Sequence, residues 1–563
     1  MPSQSCPSLG RRAVVSAAVA VIVFLALLAT SLRLPMVWDE GDAIVRADGI
    51  AHWASRFGDA DPSGPFSRAA VGDDWEYTTV REGHPPLYGE LIAGGRAAVG
   101  RWLPPLTAAR FGPMLWFAVA MAVVFARLWH DESLGTALCA LAALLTLPRL
   151  WAHSHFATLD GPLTACWLLA WATFRPEANE WRWRVIWGIA LGLTLSAKFT
   201  GWLAPLPFVL CTVFSKRGDV RRTVIVGLPI ALATFVLLNP PLWHAPVAGL
   251  CEFFERNLQR GAQPGLNVST WFLGHMYNLD HPLPWYNTLF WTAVTVPLGT
   301  LLLAGVGMAE LLRRRDAASA LLLANWGVLL VVRATPWAPP HDGVRLFLPS
   351  FAFLAVIAGV GAGVIARWAQ ARWKSAHIEG TAGQASRGTR RSVAAWAIPA
   401  LLLIGSATSV AWYTPQWISY YNLLCGGLPG AVRLGMEPTY FWDALDGETL
   451  DWLHAHTPTD EKIAFAAAPP DNLRLMRGWG TLQRDYRPDA PGGYRYYVLQ
   501  RRPSAHHAVD RYLLEHAMPV WQKTIRPPQY GRGPWRLDVP LLDVYEYKDY
   551  EAAQAAVETE TPR

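Results

Sequence analysis

The chain has 563 residues, of which 52% are hydrophobic and 16% are Asp, Glu, Lys or Arg. This composition excludes an ordinary soluble globular protein and indicates a polytopic membrane protein. The net charge of +6 does not indicate a nucleic-acid partner. The basic residues lie mainly in short loops between apolar runs, where they act as determinants of membrane topology.

Apolar runs recur along most of the chain, and about 20 apolar residues cross a hydrocarbon core of ~30 Å as a helix. The first run follows Arg11 and Arg12 but is long and has no small-residue cleavage site, so it predicts a spanning helix rather than a signal peptide. The six cysteines show no paired framework and no CxxC pattern. We predict about eleven spans, near residues 13–34, 110–129, 134–151, 158–174, 185–197, 200–214, 223–239, 287–309, 318–333, 346–366 and 393–412.

Basic residues predict the orientation of these spans. Four of the five turns that follow even-numbered spans are basic, and the amino terminus lies on the same side. The positive-inside rule places this side in the cytoplasm, and the inner (plasma) membrane is the expected location. The loop at about 35–109, the segments 239–286 and 334–345, and everything after Tyr413 are then extracytoplasmic. The basic residues of the turns are Arg175, Arg182, Arg184, Lys216, Arg217, Arg221, Arg222, Arg313, Arg314, Arg315, Arg367, Arg372, Lys374, Arg387, Arg390 and Arg391.

Two domains are predicted. Residues 1–412 form a transmembrane catalytic domain whose first outward loop, about 35–109, carries interfacial helices. Residues 413–563 form a small extracytoplasmic α/β domain, because 463–466 and 496–499 have the pattern of strands and 449–455 that of a short helix. The stretch 374–391 has the composition of a flexible cytoplasmic linker.

Acidic residues follow the first span and precede the fourth. Asp39 and Glu40 come directly after the first span, and Asp160 lies at the start of the fourth. A charge at this depth is costly and is a functional candidate by default. A carboxylate here can take a proton from an alcohol, and two such groups can ligate a hard divalent cation. Solvated loops are the alternative, and His153 and His155 can be ordinary interfacial polar residues.

A tight turn and two cations complete the set of candidates. The two prolines after His84 give a rigid turn that can present Glu82 or His84 reproducibly, although ordinary turn chemistry explains the same pattern. Lys198 lies between the fifth and sixth spans, and Arg345 lies at the start of the tenth. Together they can hold a phosphate. Snorkelling to the interface is the alternative for Lys198.

These motifs, in this order, resemble the GT-C superfamily of membrane glycosyltransferases, particularly the branch with protein O-mannosyltransferases and the lipid A aminoarabinose transferase. The resemblance runs from the first span to about Asp443. The sequence differs from this branch in two places. After the prolines, Leu87-Tyr88-Gly89-Glu90 stands in place of the Gly and Lys of the mannosyltransferases. The tail does not look like the β-trefoil domain of the eukaryotic members. The matching elements are Asp39-Glu40, His84–Leu87, Asp160, Ala197–Gly201, Arg345–Pro349, Ile418–Asn422 and Gly426-Gly427.

The resemblance implies a GT-C fold, a polyprenyl-phosphate sugar as donor, inversion at the anomeric carbon, and an outward site usually served by Mg or Mn. It implies that Asp39 is the general base, that Glu40 or Asp160 orients or ligates, that Asp39 and Asp160 hold the metal, and that Lys198 and Arg345 bind the donor phosphate. Membrane lipids, the lipid-linked donor and an unidentified hydroxyl acceptor on a protein, lipid or glycan are the expected partners. The alternatives are a transporter or flippase for an anionic lipid-linked substrate, which predicts symmetric halves, and a non-catalytic scaffold.

Overall fold

The computed structural model describes residues 9–58, 64–76, 78, 83–215, 217–259, 268–341, 343–375, 393–526 and 537–560. Apart from one short hairpin, the regular structure from Leu9 to Trp412 is helical within these residues. The helices of this part are α1 Leu9–Ser31, α2 Glu40–Ser55, α3 Arg68–Asp74, α4 Leu87–Val99, α5 Pro105–Asp131, α6 Leu134–Leu145, α7 Pro148–His153, α8 Asp160–Thr173, α9 Trp181–Ala197, α10 Pro205–Phe214, α11 Gly218–Leu237, α12 Pro246–Leu258, α13 Asn287–Thr295, α14 Leu298–Arg314, α15 Ala317–Arg333, α16 Leu348–Ser375 and α17 Ala397–Trp412.

The predicted spans all overlap helices, but two of the runs are broken at a proline. The eighth run divides at Pro297, which follows extended backbone at Val296 and separates α13 from α14. The third run ends with α6 at Leu145, and α7 begins at Pro148. Proline has no N–H for the helical ladder, so it starts helices readily and interrupts them in their interior.

Four of the described helices are long and apolar enough to cross a membrane by themselves. They are Gly10–Ser31, Pro105–Asp131, Gly218–Leu237 and Arg345–Arg372, the last of which includes the short 3₁₀ turn before α16. Shorter apolar helices lie at Leu134–Leu145, Phe199–Phe214, Ala317–Arg333 and Ala397–Trp412. The protein is therefore a helical membrane protein, and the count of about eleven spans stays a prediction.

Charged side chains join several helix ends at one end of the bundle. Arg127 of α5 donates to the carbonyl of Phe174, just after α8, at 2.9 Å. Arg314 at the end of α14 pairs with Glu132, just after α5, and Arg367 in the last part of α16 lies 4.0 Å from the same carboxylate. The ends of α5, α8, α14 and α16 therefore share one side, and the orientation in the membrane stays a prediction. The first residues of α8 and α16 lie at the opposite end of the bundle.

The chain after α17 is mixed α/β. Strands β3 to β6 form one sheet in the order β3-β4-β6-β5, in which β3 and β4 are parallel and the other pairs antiparallel. The predicted strand 463–466 overlaps β3, and the predicted strand 496–499 and short helix 449–455 fall within β4 and α19. The elements are α18 Gly427–Arg433, α19 Gly447–His456, β3 Lys462–Phe465, α20 Pro470–Gly478, β4 Tyr494–Gln500, α21 Ala508–His516, β5 Trp521–Ile525, β6 Val539–Glu546 and α22 Tyr547–Glu560, and the earlier hairpin is β1 Thr270–Phe272 with β2 His275–Tyr277.

The tail packs directly onto the helical part. Buried residues of α19, α20 and the sheet, including Leu453, Leu473 and Val498, belong to the same hydrophobic core as α1, α5 and α8. A smaller core around Tyr497, Leu513 and Tyr545 lies between the sheet, α21 and α22. The predicted linker at 374–391 lies largely outside the described residues. Its function and the predicted domain division stay predictions.

Close backbone contact between α14 and α16 provides a test of the packing. A Cβ on Gly361 would lie 1.9 Å from the carbonyl oxygen of Leu303, so only glycine fits there. Gly361→Val should lower the free energy of unfolding by about 1–3 kcal/mol or more, because overpacking separates the two helices. The measurement is the folded fraction in detergent as a function of temperature. Gly305→Ala on α14 is the matched control, since its Cβ has no neighbour within 4 Å.

Candidate active site

Four of the candidate residues form one ion-paired group, which we call the charged cluster: Asp39, Asp160, Lys198 and Arg345. The Nζ atom of Lys198 donates to Oδ1 of Asp160 at 2.6 Å. The Nε atom of Arg345 donates to Oδ2 of Asp160 at 3.0 Å, and its Nη2 donates to Oδ2 of Asp39. The side chain of Asp160 is fully buried, whereas 24% of the Asp39 side chain is exposed. The four residues, up to 306 positions apart, therefore meet in one place with Asp39 at its solvent edge.

Helix ends place these side chains. Asp160 is the first residue of α8 and Lys198 follows the last residue of α9 in extended backbone, so each charge has the sign that its helix dipole favours. Arg345 opens the short 3₁₀ turn that leads into α16. Asp39 stands at the N-cap of α2, yet its carboxylate does not cap that helix. It faces Arg345 instead.

Glu40 lies beside Asp39 in sequence but faces a different partner. Its carboxylate forms a bidentate pair with Arg110 of α5, at 2.7 and 2.6 Å, and both side chains are fully buried. The same oxygens accept from the main-chain N–H groups of Val37 at 2.9 Å and Ala157 at 2.8 Å. This geometry favours the orienting role predicted for Glu40 over a catalytic or ligating one, and the role stays a prediction. All of these partners are protein groups, which makes Glu40 a positioning residue for the segment that carries Asp39.

The turn at His84 is held by its main chain. Arg46 of α2 donates to the carbonyls of His84 at 3.4 Å and Pro85 at 3.3 Å. The carbonyl of Gly83, a residue with φ of +64°, accepts from Asn257 of α12 at 2.8 Å. These bonds hold the main chain of the turn from two sides, and His84 is half-buried. Glu82 lies outside the described residues, and the roles of Glu82 and His84 in substrate positioning stay predictions.

Aromatic residues after Tyr413 form a wall of the site that the sequence did not identify. The guanidinium of Arg345 lies 4.2 Å from the ring centroid of Phe441, within cation–π range. The hydroxyl of Tyr440 hydrogen-bonds Nε2 of His153 at 3.1 Å. His153, which the sequence analysis also allowed to be an ordinary interfacial residue, is fully buried near the charged cluster. An aromatic pair in a mixed polar segment carries no periodic signal that would have singled it out.

A buried arginine lies behind this wall. Arg149 of α7 is almost fully buried, and its guanidinium stands 4.7 to 5.3 Å from the ring centroids of Tyr421, Trp291 and Tyr440. Asp443 is buried nearby, and burial raises the pKa of its carboxyl to about 6. These rings and charges keep Tyr440 in place against His153.

The residues present do not fit the expected divalent-cation site. Both oxygens of Asp160 are within hydrogen-bond distance of a cation, Lys198 on one side and Arg345 on the other. An ion between Asp39 and Asp160 would lie beside two positive groups, which repel it. Within the described residues, no group of three or more His, Cys, Asp or Glu side chains is arranged to hold a metal ion.

Comparison with known proteins agrees with this architecture. Residues 83–244, which include Asp160 and Lys198, match the family model described as dolichyl-phosphate-mannose-protein mannosyltransferase. The crystal structure of ArnT from Cupriavidus metallidurans in the apo state matches with a TM-score of 0.50 and 13% identity, over 94% of this chain and 97% of that chain. No curated protein matches the sequence.

Two further solved structures are similar at a slightly lower level. One is ArnT from Cupriavidus metallidurans bound to undecaprenyl phosphate, with a TM-score of 0.48 and 14% identity, over 95% of this chain and 98% of that chain. The other is the archaeal oligosaccharyltransferase AglB from Archaeoglobus fulgidus, in complex with an inhibitory peptide and a dolichol-phosphate. It matches with a TM-score of 0.49 and 12% identity, over 93% of this chain and 74% of that chain.

Fold and site together define a polytopic helical membrane protein with a buried cluster of paired charges at one end of its bundle. The chain shares the fold of the ArnT crystal structure, and this match and the family model over residues 83–244 confirm the resemblance to GT-C membrane glycosyltransferases that its motifs indicated.

The Glu40–Arg110 pair gives a test that separates positioning from catalysis. Glu40→Ala leaves Arg110 buried without its counter-ion, so it should lower the free energy of unfolding by about 3–5 kcal/mol. Thermal unfolding in detergent measures the loss. Glu252→Ala removes a partly exposed pair with Arg256 and should change stability by less than about 1 kcal/mol. A Glu40→Ala protein of parental stability without activity would return Glu40 to the catalytic set.

Proposed function

We propose that the protein is an inverting glycosyltransferase that moves a sugar from a polyprenyl-phosphate carrier to a hydroxyl acceptor at the outer face of the membrane. The observation that carries the proposal is the position of Arg345, which contacts Asp39 and Asp160 while Lys198 contacts the other side of Asp160. Arg345, a cation suited to a phosphate, therefore pairs directly with a partly exposed carboxylate suited to a base, and Lys198 adds a second cation on the far side of Asp160. The comparison with solved structures supports the fold alone, so the proposed reaction depends on the arrangement of these side chains.

The cations bind and stabilise the leaving phosphate. In the reaction, the bond between the anomeric carbon and the phosphate oxygen breaks, and negative charge grows on that oxygen. Preorganised cations in a site with little water stabilise this charge more strongly than solvent does. Arg345 supplies a planar set of donors and Lys198 a point charge, and both side chains are at least nine-tenths buried.

Asp39 acts on the acceptor. The acceptor hydroxyl oxygen attacks the anomeric carbon from the face opposite the phosphate, which inverts the configuration, and its proton passes to the carboxylate of Asp39. A phosphate that binds Arg345 competes with Asp39 for the guanidinium. Donor binding thereby weakens the ion pair of Asp39 without breaking it, and the base stands where the acceptor arrives.

The finer topology belongs to the same proposal. About eleven spans, a cytoplasmic amino terminus and an extracytoplasmic domain after residue 412 would place the charged cluster on the outer side of the inner membrane. The basic turns gathered at the opposite end of the bundle support this orientation. Membrane lipids, the lipid-linked donor and a hydroxyl on a protein, lipid or glycan are the proposed partners. A Mg or Mn ion takes no part in the proposed steps.

The class of reaction is tested with purified protein in detergent. The protein is incubated with a panel of prenyl-phosphate monosaccharides and simple hydroxyl acceptors, and release of prenyl phosphate is followed. A transferase consumes one donor and forms a glycoside. A flippase, which needs two membrane sides and breaks no bond, leaves every donor intact.

Asp39→Asn should lower kcat by a factor of about 10² to 10⁴, since this is the usual contribution of a general base, while the protein remains folded. The rate of prenyl phosphate release under saturating donor measures it. Asp48→Asn, which alters a more exposed carboxylate on the same helix paired with Arg96, is the control and should retain parental kcat. Parental activity of Asp39→Asn would remove Asp39 from the mechanism.

Arg345→Ala should weaken donor binding more than acceptor binding. The loss of charge-assisted hydrogen bonds is worth about 1.5–3 kcal/mol, which corresponds to roughly 10- to 150-fold in the dissociation constant of the donor. Equilibrium binding of a labelled prenyl-phosphate sugar measures the change, and acceptor KM is determined alongside. Arg96→Ala serves as the control for a lost outward guanidinium. Equal effects on donor and acceptor would argue against a phosphate role for Arg345.

A further inference from the structure

An asparagine from the tail reaches the turn that carries Asp39. The side-chain Nδ2 of Asn472, on α20, donates to the carbonyl of Val37 at 2.8 Å. Its Oδ1 accepts from the main-chain N–H of Gly41 at 2.9 Å. One amide thus bonds both sides of Asp39 across more than 430 residues of sequence, and Asn472 is 2% exposed.

Gly41 fits against Asn472 so closely that no side chain can be added. A Cβ on Gly41 would lie 2.3 Å from Oδ1 of Asn472 and 2.6 Å from its main-chain nitrogen. The glycine is needed for this close approach, since it lies inside α2 and has no positive φ. The glycine of the Asp-Glu-Gly run therefore has a structural explanation in the tail.

Other groups fix the same turn, residues 37–41. The N–H of Trp38 donates to the carbonyl of Phe441 at 2.9 Å, and the guanidinium of Arg502 lies 4.7 Å from the centroid of the Trp38 ring. From the helical bundle, Arg110 holds Glu40. The turn is bonded on one side by the bundle and on the other by the tail.

We propose that the tail is part of the active site and that Asn472 is the positioning residue that fixes Asp39 for proton transfer. This inference rests on the proposed function. A base must stand within hydrogen-bond reach of the proton that it takes, and a displacement of about 1 Å can cost 10²-fold in rate. The Asp39 side chain gains no support from capping its own helix. The hydrogen bonds of the Asn472 side chain to the main chain of Val37 and Gly41 supply that support.

The test compares Asn472→Ala with Asp510→Asn in the full-length protein. Asp510 is also buried in the tail, but it bonds Tyr497 at 2.6 Å and caps α21, on the far side of the sheet from the turn. Asn472→Ala should lower kcat by roughly 10²-fold and change donor KM by less than about 3-fold, because the phosphate contacts remain. Asp510→Asn should lower thermal stability and leave kcat at the parental value.

Gly41→Ala disrupts the same contact by adding a methyl group that collides with Asn472. It should lower kcat to a similar extent, and the double variant Asn472→Ala/Gly41→Ala should lose little more than the worse single variant, since both changes disrupt one contact. Additive losses would contradict a shared role. A kcat of Asn472→Ala within twofold of the parent would overturn the proposal.

Amide hydrogen exchange separates this inference from the proposed function. Asn472→Ala should speed exchange in the peptide that contains Gly41 by at least tenfold, whereas Asp510→Asn should leave that peptide unchanged. Unchanged exchange in Asn472→Ala would overturn the positioning role whether or not the parent transfers sugar. If the parent consumes no donor while exchange responds as expected, the contact stands and the glycosyltransferase assignment falls.

Discussion

The structure depends on the pairing of charges that the membrane interior does not tolerate alone. Arg345 neutralises two carboxylates at once, and Lys198 neutralises the second of these from its other side. Removing Asp160 would leave the buried Lys198 without the carboxylate that it bonds, and such a loss is far costlier than the loss of an exposed pair. The pairing therefore requires the starts of α2, α8 and α16 and the end of α9 to meet, and this requirement fixes the shape of the outer end of the bundle.

Buried arginines serve a second purpose, which is to satisfy the carbonyls of irregular segments near the membrane. Arg110 donates to the carbonyls of Leu34 at 3.1 Å and Pro35 at 2.6 Å. Arg46 does the same for the turn at His84, and Arg333 for the carbonyls of residues 339 and 341, just before Arg345. A buried carbonyl outside a helix needs a donor from elsewhere, and these side chains supply it. The segments next to Asp39, at His84 and before Arg345 are held in this way.

Features that depend on local sequence, such as helices and strands, could be predicted. Side-chain contacts between residues far apart in the sequence could not. Apolar length placed helices at all the proposed spans, and the depth of Asp39, Asp160, Lys198 and Arg345 marked them as candidates that the structure brings together. Periodicity also placed β3 and β4. Glu40 was placed beside Asp39 among the candidates, but consecutive residues at a helix start point in different directions, and its partner Arg110 lies 70 positions away. Asn472 and Tyr440 had no detectable signal, because their function lies in contacts across more than 280 residues.

Charge balance links the two halves of the proposed chemistry through Arg345. With both carboxylates ionised, the charged cluster is formally neutral, two negative charges against two positive. When Asp39 takes the acceptor proton it becomes neutral, and Arg345 loses one of its two carboxylate partners. At that step the phosphate loses its sugar ester and gains a negative charge. Arg345 therefore becomes available to the phosphate at the step in which negative charge grows on that phosphate. Proton transfer to Asp39 and stabilisation of the leaving group are then coupled rather than independent. A shared arginine explains why the cation lies between the two acids instead of beside only one of them.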